Sequence, residues 1–511
     1  MVRTVRGVYS NGSTGILSRE ATIQAAEKRS TPALNLKSSQ IPLPATTRLL
    51  FVTSELGEYI KAGGLGEVSS ALPRALRERC DVRVLIPGYR QVRQRHPNMA
   101  VVKRLPGTAH LPPWSLGRTR TEDGLDIYVV LCDELYDRDG SPYGDASGHD
   151  FWDNDIRFAR LSLAAAEIAS GEADPNWRAD ILHVNDWPSA LSLGYLRWKG
   201  LETPSILTVH NLAYQGLFDA SRLDALGIPH QAFNVDGPEF YGKLSFLKSG
   251  IAYASHVTTV SETYAHEITT AEHGCGLDGL LRHRMAEGRL TGIVNGIDDS
   301  WSPPTADISA APDWKRTSAA SIRRDFGLAA SRGPMFSIVS RLVHQKGIDL
   351  SIQAAETIVR NGGQIVVIGR GEEEIEKEVV RLGKRFPGQV GVKIGFDDKE
   401  ARTMFAGSDF LLMPSRFEPC GLSQMYAQRL GSLPIAHKTG GLADTIDDGR
   451  SGFLFSNLSG EGLLSAVGRA FKTFASKPTM RRMRAHAMAK TFGWSGSAAR
   501  YADVYAAARV A

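Results

Sequence analysis

Short runs of β-branched and aliphatic residues, separated by longer stretches that include segments of helical pattern, recur along this chain from Arg48 onward. RLLFVTSE, VRVLIP, IYVVL, ADILHVND, SILTVHN, HVTTVS and GIVNGI are near-continuous in apolar character rather than alternating. Strands apolar on both faces must be covered on both faces, which is the situation of a parallel sheet wrapped by its crossover helices. After a Pro- and Asp-rich stretch near Trp301–Asp313 a second series begins: MFSIVSRL, QIVVIGRG, VGVKIGF, DFLLMPS and LPIAHKTGG. Two such series predict an α/β chain of two doubly wound, Rossmann-like domains facing across a cleft. The expected division is a flexible tail over 1–46, a first domain over 47–300, a second over 301–490 and a closing segment over 491–511. The closing segment carries an Ala- and Tyr-rich helix from Trp494.

Composition narrows the function classes. Of 511 residues, 42% are hydrophobic and 23% charged, which excludes a mostly disordered chain. No apolar run approaches the roughly 20 residues of a membrane-spanning helix. The net charge is +5, but residues 1–46 hold six Lys and Arg against two Glu, leaving +1 for the rest. A nucleic-acid partner would demand a basic patch in the folded part, so neither nucleic acid nor membrane is expected. Cys80, Cys132, Cys275 and Cys420 are scattered and form no CxxC, which suits a reducing compartment. The tail lacks the long apolar region of a secretory signal, while its Ser/Thr-rich, acid-poor composition is shared with transit peptides.

Ligands of open parallel sheets bind beyond the carboxyl ends of the strands. After the first strand comes KAGGLGEV, where Lys61 and the glycines at 63, 64 and 66 let backbone approach an anion at a helix start. It is neither a Walker loop nor a G-x-G-x-x-G turn. ADILHVND ends on Asp186, SILTVHN on His210, and GIVNGID carries Asn295. A His and an Asp at equivalent places on neighbouring strands point to a shared polar pocket. In the second series Arg341 and Lys346 stand five apart after a strand, where two cations can neutralise a diphosphate. Glu418 precedes Pro419-Cys420-Gly421 at an expected helix start, and either caps the helix or binds sugar hydroxyls. Thr439-Gly440-Gly441 forms a second phosphate cradle. No His/Cys/Asp cluster has metal-ligand spacing and there is no DxD, so no metal and no cofactor is expected.

KxGGL, HVNDW, TVHNLAYQG, SFLKSGI, VNGID, SRLVHQKG, PSRFEPCGL and TGGLADT together resemble the bacterial glycogen synthases and plant starch synthases. The resemblance runs from about Arg48 to Trp494. It implies the two-domain glycosyltransferase fold called GT-B, with the last helix crossing back to the first domain. It implies transfer of glucose from ADP-glucose to an α-1,4-glucan, with retention of configuration and without metal. By the same resemblance Lys61, Arg341 and Lys346 bind the ADP phosphates. Asp186, His210, Asn295, Tyr143 of the SPY triplet and Glu418 surround the glucosyl unit. Gly63, Gly64 and the Gly421-Leu422 amides cradle donor atoms, with Thr439 and Gly440 beside them. Three positions depart from the family pattern. Glu67 replaces the Asp of KxGGLxD, Asn185 replaces the second His of HAHDW, and Phe396 replaces a Tyr expected to stack on adenine. The position eight after Glu418 holds Tyr426 rather than a second Glu, as in the glycogen and starch group. UDP-glucose as donor, or another acceptor, stays open. A catalytically silent glucan-binding member is disfavoured by the intact candidates, and a dehydrogenase by the missing glycine spacing. A bacterial cytoplasmic location is expected, with plastid targeting by the tail left open.

Overall fold

The computed structural model describes residues 42–303, 311–395 and 397–509. A first sheet of nine strands is built from β1 (Arg48–Val52), β2 (Asp81–Pro87), β3 (Ala100–Leu105), β4 (Trp114–Arg120), β5 (Asp126–Leu131), β6 (Ile181–Asn185) and β7 (Ser205–Val209), with β11 (His256–Thr259) and β12 (Leu290–Gly292). A small sheet is made of β8 (Leu217–Asp219), β9 (Glu239–Phe240) and β10 (Lys243–Ser245). The second large sheet holds β13 (Met335–Val339), β14 (Gln364–Gly369), β15 (Val390–Ile394), β16 (Phe410–Met413), β17 (Leu433–His437) and β18 (Phe453–Phe455). The orders are β12-β11-β7-β6-β1-β2-β5-β4-β3, β8-β10-β9 and β15-β14-β13-β16-β17-β18. The second large sheet is parallel throughout. The first carries an antiparallel edge, β5-β4-β3, which the expectation of purely parallel sheets missed.

The second sheet shows why its strands read as continuous apolar runs. Phe336 and Ile338, Ile365 and Val367, Phe410 and Leu412 enter one core. Their neighbours Met335 and Val339, Val366 and Ile368, Leu411 and Met413 enter another on the opposite face. Alternate residues thus serve alternate faces, and both faces are covered.

Two expectations move. GIVNGI is not itself the strand: β12 is Leu290–Gly292, and the chain then leaves the sheet. Gly296 explains the departure, because a Cβ there would lie 2.8 Å from the Trp494 ring, and Ile297 N–H donates to the Phe492 carbonyl at 2.7 Å. Leu43, inside the expected tail, packs against the first core. Residues 1–41 of the expected tail lie outside the described residues.

The helix Trp494–Ala508 sits on the first sheet, not the second. Tyr505 Oη and His183 Nδ1 of β6 are 2.7 Å apart, and Ser497 donates to the Val294 carbonyl at 2.7 Å. Near the other crossing Trp301 stacks on Tyr426 at 3.8 Å and 18°.

Candidate active site

The loop after β1 is organised by a carboxylate that motif reading passed over. Glu55 is buried at the strand's carboxyl end. Its Oε2 accepts from the backbone N–H of Ala62 (2.7 Å) and Gly63 (3.1 Å). Its Oε1 accepts from the Tyr143 hydroxyl at 2.6 Å. Tyr143 therefore spends its proton on the loop, and burial together with the Glu55 charge raises its pKa well above the usual value. Lys61 projects from this loop to Glu67 (2.9 Å) and, across the cleft, to Asp398 (3.4 Å) of the second domain. Gly64 opens the helix Gly64–Arg77, and a Cβ there would lie 3.9 Å from Leu422. The glycine loop and the Gly421-Leu422 turn thus face one another across the interdomain gap. A cavity of about 360 Å³ lies beside them, lined by Glu67 and Asp398 with Asp298, Trp301 and Arg402.

Asp186 and His210 meet as the strand arithmetic requires. β6 and β7 are adjacent and parallel, so their carboxyl ends lie side by side. Asp186 takes a left-handed backbone, φ 54°, a strained setting that clusters at functional sites. Its Oδ1 accepts from His210 N–H at 2.7 Å. Burial pushes its carboxyl up to about 7 against that hydrogen bond, with Glu55 adding to the rise. Burial pushes His210 down to about 3, so its ring is neutral. The tautomer follows from Asn185. Its Nδ2 donates to the Val52 carbonyl at 2.9 Å, so its Oδ1 faces His210 Nε2 at 2.9 Å and must accept. His210 therefore carries its proton on Nε2 and presents Nδ1 as an acceptor.

In the second domain Lys346 is closed onto Glu418, its Nζ lying 2.8 and 2.6 Å from the two carboxylate oxygens. Ser415 Oγ donates to the same carboxylate at 3.0 Å, and His437 Nδ1 donates to the Ser415 carbonyl at 2.9 Å. Arg341 is exposed, and among the described residues no carboxylate lies within ion-pair distance of it. Gly421 adopts φ 69° just before the helix Ser423–Arg429.

Three expected site residues are engaged elsewhere. Asn295 is buried at the interdomain joint beside Cys420, whose thiol burial pushes up to about 12. Thr439 Oγ1 and Gly440 N–H both donate to Glu267 of the first domain, at 2.9 and 3.0 Å. That carboxylate occupies the second cradle. Phe396 lies outside the described residues. Glu55, Glu267 and Asp398 carried no motif, although Glu55 shares with Asp186 a place at a strand's carboxyl end, a signal that was available.

Two family profiles match, the starch synthase catalytic domain over residues 48–283 and glycosyl transferases group 1 over 322–485. Glycogen synthase 1 of Bradyrhizobium diazoefficiens is 57% identical, over 88% of this chain and 99% of that protein. The glycogen synthase of Pseudomonas syringae pv. syringae is 56% identical over 90% and 96%. The catalytic domain of starch synthase IV from Arabidopsis thaliana, bound to ADP and acarbose, superposes with a TM-score of 0.79 at 29% identity, covering 91% of this chain and all of that one. Two doubly wound domains with glycine loops and cations turned toward one gap define a GT-B glycosyltransferase. Within that class the chain belongs to the glycogen and starch synthase family.

Proposed function

We propose that this protein extends an α-1,4-glucan by one glucose at its non-reducing end, taking the glucosyl unit from ADP-glucose with retention of configuration. The arrangement that supports this most is the meeting of the Lys61–Gly64 loop with the Glu418–Leu422 turn across the cleft. Glu55 joins that loop to Tyr143 and lies close enough to Asp186 to raise its pKa.

In this reading Arg341, Lys346 and Lys61 take the diphosphate. The bond from C1 to the phosphate oxygen breaks with its electron pair leaving on ADP, so cations fixed beforehand stabilise the charge that develops. Glu418 holds Lys346 in place until donor hydroxyls draw the carboxylate and phosphate draws the ammonium. Asp186 and neutral His210 accept sugar hydroxyls. The acceptor hydroxyl attacks the same face and its proton passes to the departing phosphate oxygen. The Gly63-Gly64 and Gly421-Leu422 backbones approach the donor where a side chain would obstruct. Tyr143 acts through Glu55 on the loop, and Asn295 through the Cys420 turn. Thr439 and Gly440 hold the domains together through Glu267, and contact the donor only if that carboxylate leaves. Phe396 is assigned to adenine.

Among the described residues no helix is long and apolar enough to cross a membrane. We place the protein in the bacterial cytoplasm, in line with its bacterial relatives. The test measures ADP released from ADP-glucose with and without glycogen, then with UDP-glucose. Glycogen-dependent release favouring ADP-glucose is expected. Release that ignores glycogen, or a preference for UDP-glucose, overturns the reading.

A further inference from the structure

The small sheet β8-β10-β9 stands beside the active-site strands but has no part in the chemistry above. Trp187, next to Asp186, packs on Phe218 of β8 at 6.0 Å and on Phe246 at 6.5 Å. The β9–β10 hairpin closes through Tyr241-Gly242, with Phe240 paired to Lys243. Both turn residues have positive φ, 49° and 80°, which is a type I′ turn. Its first position favours Asn, Asp or Gly, because a larger side chain is strained there. A tyrosine at this place costs local stability, and with 82% of it exposed it recovers little by burial.

The turn is nevertheless held firmly. Lys248 of the SFLKSGI motif is buried and donates to the carbonyls of Val235 (2.6 Å) and Glu239. Gly242 N–H donates to Glu239 Oε1 at 2.8 Å. The Tyr241 ring sits edge-on to Phe240 at 4.8 Å, over Gly276, where a Cβ would lie 3.0 Å from Phe240 and 3.3 Å from Tyr241. Gln215 donates to the Cys275 carbonyl at 2.9 Å and so ties its neighbour Tyr214 to the same corner. Tyr214 is about half exposed and lies four residues beyond His210.

Strain accepted to present a rigid exposed ring calls for a ligand. Two tyrosines suit a neutral polyhydroxylated chain, whose apolar ring faces lie on the aromatic faces while hydroxyls stay in water. They suit a protein partner poorly, since two rings fall far short of the roughly 1,200 Å² that a stable interface buries. We propose that the Tyr241 turn, with Tyr214 beside it, is a binding platform for the α-glucan chain next to the active site. Lys248 is its positioning residue. The inference rests on the glucan-extending reading.

Tyr241→Asn supplies the residue the turn prefers, so the fold is kept or strengthened. KM for glycogen should rise on the order of tenfold, the scale of losing one aromatic contact at an interface. KM for ADP-glucose should not move with it. Retardation of the variant in a native gel containing glycogen should weaken relative to a dextran gel, and Tyr241→Phe should restore it. Unchanged glycogen KM and mobility in Tyr241→Asn and in the double variant with Tyr214→Ser overturn the platform. A change in sedimentation without a change in glycogen retardation assigns the turn to self-association and also overturns it. Wild-type protein that is retarded by glycogen but transfers no glucose would sink the glucan-extending reading and leave the platform standing.

Discussion

Asp186 and His210 are driven in opposite senses by the same burial, and this gives a pH dependence with a definite sign. The Asp186 carboxyl, pushed up to about 7, loses its proton as pH rises through that value. Its charged form, the better acceptor of a sugar hydroxyl, prevails above it. We expect kcat/KM for ADP-glucose to fall below about pH 7, approaching tenfold per unit. A flat profile from pH 5 to 8 would refute the assignment. Its folded pKa lies above the roughly 3.9 of an unfolded Asp, so its contribution to stability declines as pH rises between about 4 and 7. His210, held down to about 3, adds no limb of its own. Asn185→Asp keeps an acceptor for Nε2–H but adds charge, which favours the imidazolium. That variant should acquire a second acid limb between about pH 5 and 7, while a merely structural role for Asn185 would lower activity equally at every pH. For the phosphate clamp, Arg341→Ala and Lys346→Ala should each reduce kcat at least about a hundredfold, the scale of losing a transition-state charge partner. Near-wild-type turnover in both would end that role. These residues were legible because each follows a strand. Their engagements were not: nothing local in the sequence says that Glu418 closes on Lys346, or that Glu267 fills the Thr439–Gly440 cradle.

Among the elements, the helix Trp494–Ala508 gives the cleanest test. Tyr505 and His183 are both buried, and His183 Nε2 is 2.7 Å from Thr208 Oγ1. Tyr505→Phe keeps the ring but leaves His183 Nδ1 without its partner. It should cost about 1–3 kcal/mol, read as a lower midpoint of chemical unfolding followed by a probe in the first domain. An unchanged midpoint would mean that the helix does not share the first domain's folding unit. The long central strands were readable from their unbroken apolar runs. β3, β4 and the small sheet were missed because their apolar residues are few and their partners antiparallel neighbours. β12 was displaced because GIVNGI has strand-like composition, whereas Gly296 and Ile297 are committed to contacts with Trp494 and Phe492.

At the scale of the molecule the two domains touch at two kinds of place. Near the cleft mouth the Lys61–Asp398 pair is exposed, and pairs of this kind contribute about 0–1 kcal/mol. Deeper in, Ser261 donates to the Pro419 carbonyl at 2.6 Å and Thr263 N–H to Asp444 at 3.0 Å. We expect the mouth to open and the deep contacts to act as pivot, with Ile297–Phe492 marking the crossing of the chain. Closing would expel water that otherwise hydrolyses the activated sugar. Solution scattering should show a smaller radius of gyration with ADP and a maltooligosaccharide than without. Equal radii would count against closure. Of the Pro- and Asp-rich stretch Trp301–Asp313 between the two strand series, 304–310 lie outside the described residues, and Trp301, stacked on Tyr426, packs against cores of both domains.

The sequence by itself determined the α/β class, the two strand series and the positions at which chemistry is presented, because strand periodicity and the residues after a strand are local properties. It also carried the family motifs from Arg48 to Trp494. Only the tertiary structure decided what those residues touch. Asn185 sets the His210 tautomer, Glu55 shapes the Lys61 loop, Glu267 takes the second cradle, and Lys248 holds Tyr241 at a turn that disfavours it. The Glu55 bonds stay within one loop, but the others join separate elements, Lys248 and its turn across the small sheet's hairpin and Glu267 and its cradle across the two domains, and local sequence carries no signal for a contact that exists only once the sheets have closed.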